Sequence, residues 1–408
     1  MNRDEQVGDI SETRRIGDST AFVIATSLWA VTLGTLPSIT AGTLAPFIVA
    51  ETAVSRSAVG VLYASFHLAG AFFTIISGRL ADTFGVRRVL VTMPLISAVA
   101  LVIIGFSDGL LTMSLGMFLC GVAFSVSNPG TNKLMADRIP AGPRLGLAIG
   151  IKQGGIPLAA VIAGSAFIAG AEAFGWRASF VGGILIGCLI MLLLALRIRV
   201  DQTTNRPAAG DSSDGNRAPL ITLAVVGFGM GTGMSIVMAY FVLYLVESDA
   251  ALSPVAAGWI FAFAGGVGII GRIGWSVATR PGLQWKNLIA TSIGALIAGL
   301  SMALGMPLNP WMLVVLPIMI GIFILGWSGI FQVAMIYESG SRVGRGSGIG
   351  FTGYGFGLMS GPSLFGAVLG LTDSYELAWS VACVGFVIAI VAATYGARVL
   401  YPRYHAPA

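Results

Sequence analysis

The stretch GRLADTFGVRR, residues 78–88, decides how this chain is organised. It is a short charged segment between two long apolar stretches. A degenerate copy, WSVATRPG, starts 197 residues later and occupies positions 275–282. A second related pair, GLAIG at 146–150 and GSGIG at 346–350, is separated by 200 residues, and each member closely follows an arginine. Two nearly equal offsets indicate that the chain consists of two related halves.

The composition places these halves in a membrane. Of the 408 residues, 56% are hydrophobic and only 10% are charged, and the mean hydropathy is +0.87. A soluble domain carries roughly 25% charged residues, so most of this surface must face lipid. The polar residues 1–20 lack the layout of a cleaved signal peptide. The three cysteines lie in apolar stretches, and we expect isolated thiols there.

The apolar stretches are long enough to be helices that cross a bilayer. A spanning helix needs about 20 mostly apolar residues, whereas barrel strands alternate polar and apolar positions. We therefore predict an all-α membrane protein with twelve transmembrane helices in two parallel six-helix repeats. The predicted spans are 21–47, 57–78, 89–107, 110–135, 144–170, 178–197, 219–246, 253–274, 286–305, 311–335, 346–370 and 376–399. The predicted domains are a tail (1–20), a first bundle (21–197), a linker (198–218), a second bundle (219–399) and a tail (400–408).

The lysines and arginines predict the orientation. With both termini in the cytoplasm, 18 of the 23 basic residues fall on the cytoplasmic side, and Arg56 and Arg177 alone fall on the other. Lys133, Lys152 and Arg272 fall within spans. Basic residues stay on the cytoplasmic side during insertion, so we predict that both termini are cytoplasmic. We expect a multi-pass protein of a bacterial-type inner membrane. The same distribution explains the net charge of +5 without a nucleic-acid partner.

The charged turn also resembles a known signature. The pattern Gly78-x-x-x-Asp82-x-x-Gly85-x-Arg87-Arg88 is similar to the loop between the second and third spans of the major facilitator superfamily. The family usually has arginine where this chain has Thr83, and the second copy departs further from the pattern. The resemblance implies a secondary transporter whose substrate binds near mid-membrane at the seam between the halves.

The resemblance also implies a gating role for this loop. Gly78 has no Cβ, which lets a neighbouring helix approach closely. Asp82 can accept hydrogen bonds from free N–H groups at another helix start. Arg87 and Arg88 can bind helix-end carbonyls or lipid phosphate, or can simply set the orientation. The loop is expected to clamp the halves together on the cytoplasmic side when the cavity opens outward.

Charges inside the spans point to the substrate. An ionised side chain at the bilayer centre costs several kcal/mol, and none of the 18 acidic residues falls mid-span to neutralise the embedded cations. We infer that an external anion, the substrate, does so. Arg272 is the leading candidate, because its planar guanidinium can donate two parallel hydrogen bonds to a carboxylate. Its placement is similar to that of the substrate-binding arginine of monocarboxylate transporters and oxalate–formate exchangers. The alternative is an arginine that reaches lipid phosphate.

Other polar positions are candidates for the same cavity. Lys152 lies roughly 12 Å into the fifth span, beside Gln153, and either contacts the ligand or reaches back to the interface. Lys133 is closer to its helix end, where the same two roles are open. Asn128 precedes Pro129, which frees a backbone carbonyl and suits a polar cavity wall.

A histidine and several aromatic residues complete the candidate set. An unperturbed histidine titrates near neutral pH, so His67, near the middle of the second span, is the candidate proton carrier, unless it is a packed side chain with one hydrogen bond. The further lining candidates, each of which suits core packing equally well, are Trp29, Tyr240, Tyr244, Gln332 and Tyr354.

The function predicted from these residues is secondary active transport of a small organic anion, foremost a carboxylate, by alternating access with proton symport or anion exchange. The alternative is proton-driven multidrug efflux, for which Met230, Met234 and Met238 suit an adaptable wall. A receptor without turnover is a third possibility. We expect no enzymatic activity, no cofactor and no metal site, because phosphate loops, cysteine pairs and catalytic constellations are absent from the sequence. Expected partners are the anion, protons and lipid, with the chain as a monomer.

Overall fold

The computed structural model describes residues 19–140, 143–199, 217–248, 251–280, 282–305, 309–339 and 343–401, and the regular structure in them is helical. Twelve helices in these ranges are long and apolar enough to cross a membrane. In chain order, spans 1 to 12 are Thr20–Thr43, Arg56–Phe84, Val86–Gly105, Leu110–Arg138, Arg144–Phe174, Trp176–Arg197, Ala218–Glu247, Pro254–Ala278, Gln284–Ala303, Met312–Ser339, Gly348–Thr372 and Tyr375–Leu400. The predicted all-α fold with twelve spans is confirmed. Most of the predicted linker and of both predicted tails lies outside the described residues.

Local signals set the helix ends. Ser19 caps span 1, where its hydroxyl accepts from the Phe22 N–H at 3.2 Å, and Ser253 caps span 8 in the same way. Such caps satisfy N–H groups that lack a partner within the helix. Spans 2 and 3 are separated only by Gly85, whose φ of 83° is a conformation that glycine adopts without strain. The charged turn is therefore a single-residue break between two long helices.

The two sides of the bundle are named here by the chain. The tail face is the side at which span 1 begins, and it also holds the turn at Gly85. The far face is the opposite side, reached by the ends of spans 1 and 7, and it carries Arg56 and Glu247.

The two halves meet backbone to backbone near the far face. A Cβ on Gly60 in span 2 would lie 2.0 Å from the Pro362 carbonyl oxygen in span 11, and one on Gly366 would lie 2.1 Å from that of Ser57. Similar close approaches join spans 1 and 7 and spans 5 and 8. The glycine seam, as we call these positions, consists of Gly42, Gly60, Gly164, Gly258 and Gly366. The absence of side chains lets the helices approach closely.

Packing is different on the tail-face half of the same helices. A Cβ built on Gly150 in span 5, Gly274 in span 8 or Gly348 in span 11 would meet no described atom within 4 Å. The glycines at which the backbones of the two halves approach most closely therefore lie toward the far face. The structure is closed at the far face.

Candidate functional site

Arg272 joins the two halves at the tail-face end of the glycine seam. Its side chain is 2% exposed inside span 8. Nη1 donates to the Gln153 carbonyl of span 5, in the first half, and Nη2 donates to the Leu325 carbonyl of span 10 at 3.1 Å. The guanidinium is thus buried between the two halves.

Both carbonyls are available because their helices are interrupted. In a regular helix the Gln153 carbonyl would accept from the N–H four residues later, but that residue is Pro157, which has none. Leu325 ends a π-helical stretch, Ile320–Leu325, and the Gly329 N–H donates instead to Gly326 at 3.2 Å. Irregular backbone at membrane depth needs such replacement partners. Arg272 supplies them in both helices.

Arg272 has no acidic neighbour in this arrangement. Among the described residues, no carboxylate forms an ion pair with it, and its Nε has no hydrogen-bond partner. Each described acidic residue lies near a helix end or in a loop. A buried cation held only by neutral dipoles keeps a strong attraction for an anion.

Lys152 lies in a second buried polar group, within the first half. Its side chain is 0% exposed, and Nζ donates to Asn128 Oδ1 at 3.2 Å, Asn132 Oδ1 at 2.5 Å and Thr131 Oγ1 at 3.5 Å. All three oxygens belong to span 4 and are neutral. Gln153 Nε2 reaches Asn128 Oδ1 at 3.5 Å. Lys152 and Gln153 therefore lie together beside the Arg272 contact, and Lys152 does not extend to the interface.

The signature loop and Lys133 form a separate site at the tail face. Lys133 Nζ lies 3.2 Å from Asp82 Oδ1, with side chains 25% and 75% exposed. Arg87 is half-buried and Arg88 is exposed. A Cβ on Gly78 would find only the Pro129 Cβ, at 3.9 Å, so no helix approaches Gly78 closely in this conformation. The clamp predicted for this loop, and a ligand role for Lys133, stay predictions.

His67 is enclosed by aromatic rings. The ring centroids of Tyr63, Phe66 and Phe124 lie 4.7, 5.0 and 6.1 Å from that of His67. Its Nε2 is buried and has no hydrogen-bond partner among the described residues. The proton-carrier role predicted for His67 stays a prediction.

Two of the aromatic candidates have hydrogen bonds to the backbone. Trp29 Nε1 donates to the Gly187 carbonyl at 3.1 Å, which attaches span 1 to span 6. The Tyr240 hydroxyl accepts from the Gly60 N–H at 2.8 Å and donates to the Ser57 carbonyl at 3.1 Å. Tyr240 thus holds span 7 against the first half.

The other candidates lie in span 7 and the second half's interior. Tyr244 packs against Tyr375 and Trp379, each with ring centroids 5.5 Å away. Gln332 is half-buried in span 10. Tyr354 is half-buried in span 11, and its hydroxyl lies 3.9 Å from Met234 Sδ.

Tyr63 belongs to this central region, and the sequence analysis did not select it. Its side chain is buried, and its hydroxyl donates to Met238 Sδ at 3.5 Å. Met230 accepts similarly from the Ser292 hydroxyl at 3.3 Å. The only signal in the sequence is that Tyr63 precedes His67 by four residues and so shares its helix face. Met230 and Met238 of span 7 are therefore both buried against hydroxyl groups.

The far face carries an ion cluster that also joins the halves. Arg56 Nη1 lies 3.2 Å from Glu247 Oε2, and Arg56 Nη2 pairs with Asp373. The Tyr375 hydroxyl donates to Glu247 Oε2 at 2.8 Å. Arg56 comes from the first half and its three neighbours from the second. The far-face ion cluster, Arg56, Glu247, Asp373 and Tyr375, covers the outer end of the glycine seam.

Comparisons with known proteins agree with this architecture. A family model described as the Major Facilitator Superfamily matches residues 19–362. The probable sulfoacetate transporter SauU of Cupriavidus necator is 24% identical over 361 residues, which cover 82% of this chain and 83% of that protein. The hexuronate transporter of Bacillus subtilis is 24% identical over 180 residues, 43% of this chain and 42% of that protein.

A solved structure shares the fold. The crystal structure of a point mutant of the nucleoside transporter NupG superposes with a TM-score of 0.69 at 14% identity, and the match covers 91% of this chain and 98% of that one. With the family match over most of the chain, the predictions of a non-enzymatic, multi-pass membrane protein are confirmed. The chain belongs to the major facilitator superfamily and is a membrane transporter.

Proposed function

We propose that this transporter is a secondary active carrier of a small organic anion, foremost a carboxylate, that works by alternating access. The observation that carries the proposal is the position of Arg272. Its guanidinium is buried between the halves, and among the described residues two backbone carbonyls alone accept hydrogen bonds from it. Transporters of this architecture bind their substrates in that region.

The charge balance supports an anion over a cation or a neutral solute. Burying a guanidinium without a counter-ion is costly, and the described acidic residues lie too close to the helix ends to neutralise it. An anion that binds Arg272 replaces neutral carbonyl dipoles by a full opposite charge. Lys152, two residues from the helix break at Gly154, adds a second cation nearby with neutral oxygens as its partners.

The named relatives support the same class. Sulfoacetate and hexuronates, the solutes in those relatives' names, are small organic anions. Drug efflux is less favoured, because the described acidic residues lie near helix ends or in loops and supply no counter-ion for a cationic drug beside Arg272.

The basic residues and His67 support the proposed orientation and coupling. With both termini in the cytoplasm of a cell with an inner membrane, the far face lies outside and the structure is closed to the exterior. Rocking of the halves would open the glycine seam and close the tail face. The coupling is either proton symport, with His67 or the substrate as carrier, or exchange for a second anion.

Uptake into proteoliposomes tests the proposal. We expect wild-type protein to accumulate radiolabelled sulfoacetate or glucuronate, and Arg272→Ala to lower that uptake at least a hundredfold. Arg177→Ala is the control, since Arg177 pairs with Asp108 at 2.7 Å on the far face, outside the seam. Undiminished uptake by a folded Arg272→Ala protein would overturn the binding role of Arg272.

A further inference from the structure

Two tyrosines, one from each half, direct their hydroxyl groups at methionine sulfur atoms of span 7. Tyr63 of span 2 donates to Met238 Sδ at 3.5 Å, and Tyr354 of span 11 lies 3.9 Å from Met234 Sδ. Met234 and Met238 are one helical turn apart and share a face. The two hydroxyl groups therefore lie along one side of span 7.

These hydroxyl groups are weakly satisfied. A thioether sulfur is a poor hydrogen-bond acceptor, and buried hydroxyl groups normally find a stronger one. Ser38 also lies beside the Tyr63 oxygen, but in this conformation the Tyr63 hydroxyl donates to the Met238 sulfur and the Ser38 hydroxyl donates to the Thr35 carbonyl at 2.9 Å. Tyr63 and Tyr354 can thus donate to an incoming oxyanion and lose only a weak hydrogen bond to sulfur.

One of these two tyrosines also lies close to Arg272. Tyr354 is an electrostatic neighbour of both Arg272 and Tyr63. Trp327, two residues beyond the Leu325 carbonyl that holds Arg272, packs edge-on against the Tyr354 ring at 5.6 Å. Arg272 of span 8, Tyr354 of span 11 and Tyr63 of span 2 are thus successive neighbours across the centre of the protein. The Arg272 Nε has no hydrogen-bond partner among the described residues.

Tyr240 shows what a purely structural tyrosine looks like at this seam. Its hydroxyl both accepts from the Gly60 N–H and donates to the Ser57 carbonyl, at 2.8 and 3.1 Å. Both bonds are to backbone groups, which leaves no donor for a ligand. Tyr240 is therefore the matched control for Tyr63.

We propose that Tyr63 is the first half's hydrogen-bond donor to the substrate, and that it selects anions carrying a second oxygen group at the end remote from the carboxylate held by Arg272. This inference rests on the proposed function and narrows its substrate class. A ligand bound at both ends connects the halves, with Tyr354 between the two contacts. A site built to pair with a polar group rejects analogues that lack it, because its donor is then left without a partner.

Two anions of equal size and charge test this selection. 3-Hydroxypropionate and butyrate have the same number of non-hydrogen atoms and differ by a terminal hydroxyl in place of a methyl group. We expect the full-length protein in lipid nanodiscs to bind 3-hydroxypropionate about tenfold more tightly than butyrate by calorimetry. Tyr63→Phe should bring that ratio close to one and leave the ratio for propionate against butyrate unchanged, and Tyr240→Phe should keep the wild-type ratio.

The outcomes separate this inference from the proposed function. A Tyr63→Phe protein that keeps the tenfold preference, or a wild type without any preference, overturns the role of Tyr63. Equal loss of the preference in Tyr240→Phe also overturns it, since the effect would then be one of packing. Undiminished binding of both anions by Arg272→Ala, or binding of neither by wild type, overturns the proposed function itself.

Discussion

Adding one methyl group to the glycine seam should open the far face. In Gly60→Ala, the new Cβ would lie 2.0 Å from the Pro362 carbonyl oxygen of the other half and 2.9 Å from the Tyr240 hydroxyl. Because a carbonyl oxygen on a helix cannot move alone, spans 2 and 11 must separate. That clash exists only while the far face is closed.

The size of the effect follows from the cost of overpacking. Forcing a methyl group into a well-packed interface costs about 1–3 kcal/mol. If the open conformation relieves that cost, the ratio of far-face-open to far-face-closed protein rises by about fivefold to 150-fold. A carrier that is about 1% open in the wild type would become about 5% open at the lower end of this range and about 60% open at the upper end.

Spin-label distances across the far face measure this shift. Phe106, at the end of span 3, and Leu371, near the end of span 11, are 86% and 87% exposed and come from different halves. Both positions accept labelled cysteines once the three buried native cysteines are replaced by alanine. Pulsed electron resonance should then show a longer distance in Gly60→Ala than in the parent protein.

A glycine within one half provides the matched control. A Cβ on Gly121 would also lie 2.0 Å from a carbonyl oxygen, that of Phe66, but both residues belong to the first half. Gly121→Ala should lower the thermal unfolding temperature and leave the far-face distance unchanged. An unchanged distance in Gly60→Ala, or the same shift in both variants, would refute the assignment of the seam to the closed conformation.

Three further variants test other contacts. Arg56→Gln removes two ion pairs worth about 0.2–1 kcal/mol each, so the ratio of far-face-open to far-face-closed protein should rise by less than about thirtyfold. This rise should vanish at high salt, which screens the ion pairs of the parent protein. The control Arg177→Gln breaks an ion pair within one half and should leave the spin-label distance across the far face unaltered. The Trp285 indole N–H donates to Glu338 Oε1 at 2.8 Å, and Glu338→Ala removes that acceptor. This variant should lower the free energy of unfolding by about 1–3 kcal/mol and leave the transport KM unchanged. An altered KM would place Glu338 in the transport path. Lys152→Met should raise the KM for the anion and leave the unfolding temperature equal or higher, because a buried unpaired charge is removed; an unaltered KM would reassign Lys152 to a structural role.

The fold was predictable because each span depends on the average hydropathy of a long stretch of sequence. Each span is an apolar run of bilayer length, and a few misjudged residues at its ends do not change the count. The break between spans 2 and 3 was likewise predictable, because it depends on the local sequence around Gly85. The helix starts at Thr20 and Pro254 agree with their preceding serines, which cap them.

The contacts of the candidate site were less accessible, because they join residues far apart in the chain. The sequence selects Gln153 for its side chain, but it is the Gln153 carbonyl that binds Arg272. One signal was present: Pro157 follows by four residues and frees that carbonyl. The pairing of Lys133 with Asp82 has no comparable local signal. Tyr63 was missed because a tyrosine in an apolar run looks like core packing until its hydroxyl's neighbour is known.

The glycine seam also limits how this protein can diverge. Any change in the first or second base of a glycine codon introduces a side chain or a stop, so such changes at Gly42, Gly60, Gly164, Gly258 and Gly366 cannot be neutral wherever the two helices must touch. Natural variants should therefore keep these five positions while the lipid-facing surface drifts freely.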